Sequence, residues 1–108
     1  METLHKMKNQ TNYQTLGEML RQLREENNLM QREVGAVIEV DGALISKVEN
    51  NEKPINREHL KKLSAFFQID EEILQLLWLA DKIRNIIKDE PLGLKALNYT
   101  HTKLNNEH

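Results

Sequence analysis

Residues 31–50 read QREVGAVIEVDGALISKVEN, and this stretch decides the fold of the chain. Its first half spaces apolar residues at helical intervals after Gln31, so that they lie on one side of a short helix. EVDG breaks this pattern, and Asp41 is a good N-cap for a second short helix that runs to about Asn50. We therefore predict two short helices joined by a tight turn. The buried positions of the pair are expected to be Val34, Val37, Ile38, Ile45 and Val48.

One helix is predicted before this pair. Thr15 and Glu18 form a capping box, in which the hydroxyl and the carboxylate each satisfy a backbone N–H at the start of a helix. Apolar residues at i, i+3, i+4 and i+7 continue that helix to about Asn27. Asn27 and Asn28 end this helix, because asparagine tolerates the left-handed backbone of a helix terminus. Asn50 and Asn51 are expected to end the second helix of the pair in the same way.

Three helices are predicted after the pair. Asn56 is the N-cap of the first, beyond a loop made rigid at Pro54. Asp70 caps the second, a long helix that reaches about Lys88. Pro91 suits the first turn of a third, weaker helix that fades toward the end of the sequence. No run of alternating apolar and polar residues predicts a strand, so the fold class is all-α.

Length and charge limit the choice of function. A chain of 108 residues has room for one domain and an appendage. Its 15 basic and 17 acidic residues give a net charge of −2, so any surface for nucleic acid must be a local group of cations. The absence of cysteine excludes disulfides, thiolate metal sites and cysteine nucleophiles.

The sequence contains no membrane or secretory signal. No apolar run approaches the roughly 18 to 20 residues that a membrane span requires. The opening METLHKMKNQTNYQ is polar and lacks the apolar region of a signal peptide. We predict a cytoplasmic protein with a flexible N-terminal arm over residues 1–14.

Two short helices joined by a tight turn, the first of which begins with Gln, form a helix-turn-helix. From Leu16 to Leu79 the chain resembles the lambda-repressor-like family of bacterial and phage regulators, the Xre/Cro type. The motifs LRQLREENNL, QREVG, ISKVEN and LKKLSAFFQID carry the resemblance, in the family's order and at its spacing. It implies a five-helix DNA-binding domain over residues 15–79. A helical dimerisation extension over residues 70–105 shares the long helix with that domain.

The resemblance also implies which residues contact DNA. In this family the second helix of the motif enters the major groove, and the first crosses the DNA backbone. Gln31 matches the position that bonds a phosphate, and Arg32 adds charge beside it. Lys47 is the best base reader, because its ammonium group can reach O6 or N7 of guanine. The full set of expected DNA contacts is Gln31, Arg32, Gly42, Ala43, Ser46, Lys47, Asn50, Lys53 and Arg57.

Three departures from the family pattern affect the motif. Glu39 stands where the turn usually has glycine, and a non-glycine residue at positive φ costs about 1 kcal/mol. Met30 replaces the usual Ser or Thr cap, which weakens the start of its helix by about 1 kcal/mol. Gly42 and Ala43 replace polar side chains, and we expect them to bring the backbone close to the groove, where they meet thymine methyl groups or DNA shape.

Arg24 and Glu49 match a family pair that ties the first helix to the end of the third. We interpret both as structural residues that form an ion pair. The pair is expected to be partly buried, so removal of one partner strands the other charge.

The long helix is apolar on more than one side. It has more apolar residues than a single stripe buried in the core can hold, so part of them would be exposed. Ile73, Leu76, Ala80, Ile83 and Ile87 fit an a/d heptad seam. A two-fold partner is the simplest cover for this surface, so we predict a homodimer. Its two recognition helices are then about 34 Å apart, which predicts a palindromic operator.

These features predict a DNA-binding transcriptional regulator, a repressor that occupies its operator as a homodimer on double-stranded DNA. The size also resembles that of the controllers of restriction-modification operons. The alternative is an antitoxin of the same fold, which binds a toxin through the long helix and tail and autoregulates its operon. No nucleophile–base pair or phosphate-binding loop predicts an enzyme, and the four scattered histidines predict no metal site; we expect no cofactor.

Overall fold

The computed structural model describes residues 15–107, and this part of the chain is helical without any strand. The all-α prediction is therefore confirmed. The predicted arm over residues 1–14 lies outside the described residues. The helices are α1 (Leu16–Glu26), α2 (Gln31–Val37), α3 (Gly42–Glu49), a 3₁₀ turn (Arg57–His59) that leads into α4 (Leu60–Phe67), α5 (Glu71–Ile87) and α6 (Gly93–Asn106).

Side-chain caps begin three of these helices as predicted. An oxygen of Thr15, Asp41 or Asp70 accepts a backbone N–H two or three residues further along, at 2.9 to 3.0 Å. Asn56 makes a weaker bond of 3.4 Å, and the turn after it is 3₁₀ instead of the predicted α-helical turn. A 3₁₀ turn is common at the start of an α-helix.

The start of α2 is stronger than the sequence indicates. Met30 has no oxygen to offer as a cap, and its thioether sulfur is only a weak acceptor. The Glu33 carboxylate instead accepts the backbone N–H of Met30 at 2.7 Å, which is one half of a capping box. This carboxylate also lies at the positive end of the helix, where the dipole favours it.

Within residues 15–107, four non-glycine residues have left-handed backbones with φ between 56° and 63°. Asn28 and Asn51 end α1 and α3, which confirms the two predicted asparagine stops. Glu39 has φ 62°, which confirms its expected positive φ in the turn between α2 and α3. Gln68, with φ 57°, ends α4 in the same way, although no asparagine or glycine marks this helix end in the sequence.

One hydrophobic core lies within residues 15–78, which form a compact unit. The core side chains come from α1 to α5 and from the loop before α4. Ile55 is buried in that loop and fixes it to the core. Four of the five buried positions predicted for the two helices of the motif are buried, and the fifth, Val37, is half-buried. The core consists of Leu16, Met19, Leu20, Leu23, Val34, Ile38, Ile45, Val48, Ile55, Leu60, Leu63 and Leu74.

Residues 79–107 form a second unit, made of the end of α5 and the whole of α6. The prediction that Pro91 lies in the first turn of the last helix was wrong, because Pro91 lies in the preceding turn and the helix begins at Gly93. A Cβ at Gly93 would strike the carbonyl oxygen of Ile87, so this close approach requires glycine. The predicted last helix, α6, runs for 14 residues and ends at Asn106.

Among residues 15–107, no helix combines the length and the apolar content needed to cross a bilayer.

Replacement of Glu39 by glycine is expected to stabilise the fold. Glycine removes the strain of the left-handed backbone but makes the unfolded chain more flexible, so we expect a net gain of about 0.5 to 1 kcal/mol. Chemical denaturation measures this change. The control is Ala36→Gly, at an exposed position inside α2, which is expected to lose about 0.5 to 1 kcal/mol. A loss of stability in both variants contradicts the assignment of strain to Glu39.

Candidate nucleic-acid interface

The turn between α2 and α3 is closed by the backbone. The carbonyl of Gly35 accepts the N–H of Val40 at 2.9 Å. A Cβ at Gly35 would strike the carbonyl oxygen of Val40, so glycine permits this close return of the chain. Together with the left-handed Glu39, this contact fixes the direction in which α3 leaves α2.

The starts of the two helices lie against each other at Gly42. A Cβ at Gly42 would lie 3.1 Å from the backbone nitrogen of Arg32 and 3.2 Å from its Cα. The absence of a side chain at Gly42 thus allows the starts of α2 and α3 to pack closely. Gly42, predicted as a DNA contact, has only its backbone to offer there. The sequence did not indicate this packing role, because Arg32 is its neighbour only through the tertiary fold.

The expected DNA-facing side of α3 is accessible. Ile45 and Val48 are buried in the core on the opposite side of this helix. Ala43, Lys47 and Asn50 are exposed, and Ser46 is half-buried. Four side chains at i, i+3, i+4 and i+7 therefore form a continuous surface stripe along the helix.

Four exposed cations belong to the same set of predicted residues. They are Arg32, Lys47, Lys53 and Arg57. Over residues 15–107, none of the four forms an ion pair with a carboxylate. Their charges are consequently available to an anionic partner, although the net charge of the chain is −2.

Gln31 is held by a neighbouring side chain. Its amide nitrogen donates to Oε1 of Glu49 at 3.0 Å. An amide nitrogen has two hydrogens, so one hydrogen can still be donated to a phosphate. The bond to Glu49 fixes the orientation of the amide before any ligand arrives.

Glu49 is the centre of a buried ionic network. Its side chain is only 2% exposed, and that of Arg24 is 14% exposed. The guanidinium donates twice to Glu49, from Nε to Oε2 at 2.7 Å and from Nη2 to Oε1 at 3.1 Å, and its Nη1 donates to the carbonyl of Leu29 at 2.9 Å. The hydrogen bonds to Glu49 raise the pKa of Arg24 against the opposing effect of burial. One carboxylate thus connects α1, α2 and α3.

Arg57 is attached to α5. Its Nε donates to Oε1 of Gln75 at 2.7 Å, and its Cζ lies 4.9 Å from the centre of the Trp78 ring. The indole N–H of Trp78 in turn donates to the carbonyl of Ile55 at 2.8 Å. The sequence did not indicate this cluster, because its hydrogen bonds join residues 18 and 23 positions apart.

The residues of the predicted dimer seam differ in accessibility along α5. Ile73 packs against the core and is half-buried. Leu76 is 65% exposed and Ile83 is 46% exposed. Ala80 and Ile87 are half-buried. Ile73 thus already belongs in part to the core, whereas Leu76 and Ile83 are exposed.

A protein-family model described as "Helix-turn-helix" matches residues 20–74, which contain the whole of α2, the turn and α3. The chain belongs to the lambda-repressor-like, Xre-type helix-turn-helix family. This family consists of DNA-binding transcriptional regulators. Neither a curated protein nor a solved structure matched the chain. In a helix-turn-helix regulator α2 is the supporting helix and α3 the recognition helix, so the exposed stripe lies on the helix that enters the major groove.

Removal of Arg24 is expected to destabilise the helix-turn-helix domain strongly. Arg24→Ala leaves the Glu49 carboxylate buried without its cation, at a cost of about 3 kcal/mol. Chemical denaturation at neutral pH measures the loss.

The matched control is Arg21→Ala. Arg21 pairs with Glu25 at 3.2 Å, but both side chains are more than half exposed. Such a surface pair contributes at most about 0.5 kcal/mol. Equal losses in the two variants would contradict a special role for the buried network.

Proposed function

We propose that this regulator is a repressor that binds a palindromic operator as a homodimer. The observation that carries the proposal is the accessible side of α3, together with nearby cations that have no carboxylate partner over residues 15–107. A polar stripe on a recognition helix, beside unpaired cations, suits the edges of bases and the phosphates on both sides of a groove.

The residues divide into base readers and phosphate contacts. Lys47 donates to guanine O6 or N7, and Ser46 and Asn50 supply further hydrogen bonds to base edges. The methyl group of Ala43 meets the methyl group of a thymine. The phosphate contacts are Gln31, Arg32, Lys53 and Arg57.

The acidic balance of the chain limits long-range attraction to DNA. A net charge of −2 gives weak electrostatic steering. Binding therefore depends on the local cations and on close contact in the groove. We expect the affinity to fall steeply as the salt concentration rises, with a slope set by the number of phosphates contacted.

Dimerisation through α5 supplies the second recognition helix. Leu76 and Ile83 are seven residues apart and both are exposed, as the two d positions of a heptad seam are in a monomer. A two-fold axis through such a seam presents two copies of α3 to two half-sites of one operator. Occupation of that operator blocks transcription from it.

Lys47→Ala is expected to weaken binding to a specific duplex by about 1 to 3 kcal/mol, because a base contact is lost. The duplex is the one that the wild-type protein enriches from a random-sequence pool. Fluorescence anisotropy at low salt measures the affinity.

The control is Lys62→Ala, which removes an exposed lysine of α4. This variant has the same net charge as Lys47→Ala. Any difference in affinity between the two variants therefore reflects the position of the lysine that was removed. Equal affinities in the two variants would falsify the assignment of Lys47 as a base reader.

Leu76→Asp combined with Ile83→Asp is expected to convert the dimer to a monomer, because two pairs of charges would be buried at the seam. Sedimentation velocity measures the change. Phe66→Asp is the control, since Phe66 is also a large exposed apolar residue but lies outside the seam on α4. Loss of the dimer in the control, or its retention in the double variant, contradicts the α5 seam.

A second candidate function is that of an antitoxin-type interaction protein. The observation that favours it is the apolar side of α6, where Leu94, Leu97 and Leu104 are 72%, 37% and 51% exposed. A surface of this kind marks a protein interaction site. The neighbouring genes distinguish the candidates, because a toxin-like reading frame beside this one favours the antitoxin, whereas a methyltransferase or nuclease gene favours a restriction-modification controller.

A further inference from the structure

We propose that Gln75 and Trp78 are positioning residues, which hold the guanidinium of Arg57 in the orientation that binds a DNA phosphate. The proposal rests on the proposed function and adds two residues of α5 to the DNA-binding machinery. Neither residue belongs to the helix-turn-helix motif itself.

The contacts of Arg57 use one side of its guanidinium. Nε donates to Gln75 at 2.7 Å. Over residues 15–107, the two terminal NH₂ groups make no hydrogen bond, and the side chain is exposed. These groups form the edge of a guanidinium that binds two phosphate oxygens at once. The bond to Gln75 therefore leaves this terminal edge available for a phosphate.

Gln75 is oriented for this contact by a second bond. Its amide nitrogen donates to Oε2 of Glu71 at 3.0 Å. The amide oxygen is therefore directed toward Arg57, because a carboxylate can accept only from the NH₂ end of the amide. Glu71, Gln75 and Arg57 form a chain of donors and acceptors that has one consistent direction.

Trp78 joins the arginine and its loop to the same helix. The indole ring lies beneath the Arg57 guanidinium, with Cζ 4.9 Å from the ring centre. Its N–H donates to the carbonyl of Ile55 at 2.8 Å, in the loop that also carries Lys53. The position of the loop and the direction of the arginine are both set by one aromatic side chain.

This arrangement reduces the entropy that binding must remove. A free arginine side chain loses its rotamer freedom when it binds a phosphate, whereas Arg57 is already ordered in the folded chain. A purely structural arginine would also cover Trp78, but its removal would not change the number of phosphates contacted, and the salt dependence of binding would stay the same. This difference makes the two roles separable by experiment.

The test compares Gln75→Ala, Trp78→Phe and Trp78→Leu, each with Arg57 present and with Arg57→Ala. The ligand is a labelled mixed-sequence duplex, because phosphate contacts do not depend on sequence. Affinity is measured by anisotropy over a series of NaCl concentrations, and thermal unfolding is recorded for each variant.

With Arg57 present, we expect Gln75→Ala and Trp78→Leu to weaken binding about five-fold. Trp78→Phe keeps an aromatic face under the guanidinium and is expected to retain most of the affinity. In the Arg57→Ala background Gln75→Ala is expected to change nothing further, because its contact with this loop is made through Arg57 alone. Arg57→Ala itself is expected to lower the slope of log K against log salt by about one.

Arg21→Ala is the control for the lost charge, because its guanidinium is paired with Glu25, and it is expected to leave the salt slope unchanged. Equal effects of Gln75→Ala with and without Arg57 overturn the proposal, as does an unchanged salt slope in Arg57→Ala. If Lys47→Ala still weakens specific binding in that case, the proposed function stands and only the positioning role fails. A wild-type chain that binds no duplex overturns both.

Discussion

The helix-turn-helix depends on one buried carboxylate. Glu49, at the end of the recognition helix, accepts from Arg24 of α1 and from Gln31 at the start of α2. A buried charge is tolerated only when its hydrogen-bonding capacity is filled, so the three helices must keep the arrangement that fills it. The supporting helix and the recognition helix therefore keep a fixed relative orientation, and the amide of Gln31, which we propose as a phosphate contact, is part of the same network.

Local chemistry was sufficient to predict much of the fold. Caps such as Asp41 act over two or three residues, and the left-handed Asn28, Glu39 and Asn51 occur at turns that the sequence already marks. The start of the last helix was mispredicted because it depends on a contact of Gly93 with the carbonyl of Ile87. The preference of proline for the first turn of a helix is a property of one residue, whereas the start of α6 depends on packing between two segments.

The candidate site was predictable only in part, for the same reason. Helical periodicity separates the buried Ile45 and Val48 from the accessible side of α3, so the sequence indicates which side faces outward. It does not indicate that Arg57 is held by Gln75 and Trp78, because those contacts join residues far apart in the chain. Sequence patterns identify the cations of such a surface, and the fold determines which of them are held in place.

The glycine at the start of the recognition helix restricts how a new operator preference could arise. A Cβ at Gly42 would lie 3.1 Å from the backbone nitrogen of Arg32, so a polar residue gained there would require a small shift of the two helix starts. Ala43 and Lys47 are exposed and carry no such restriction. After gene duplication, copies of this regulator would therefore change their sequence preference more readily through the exposed positions than through position 42.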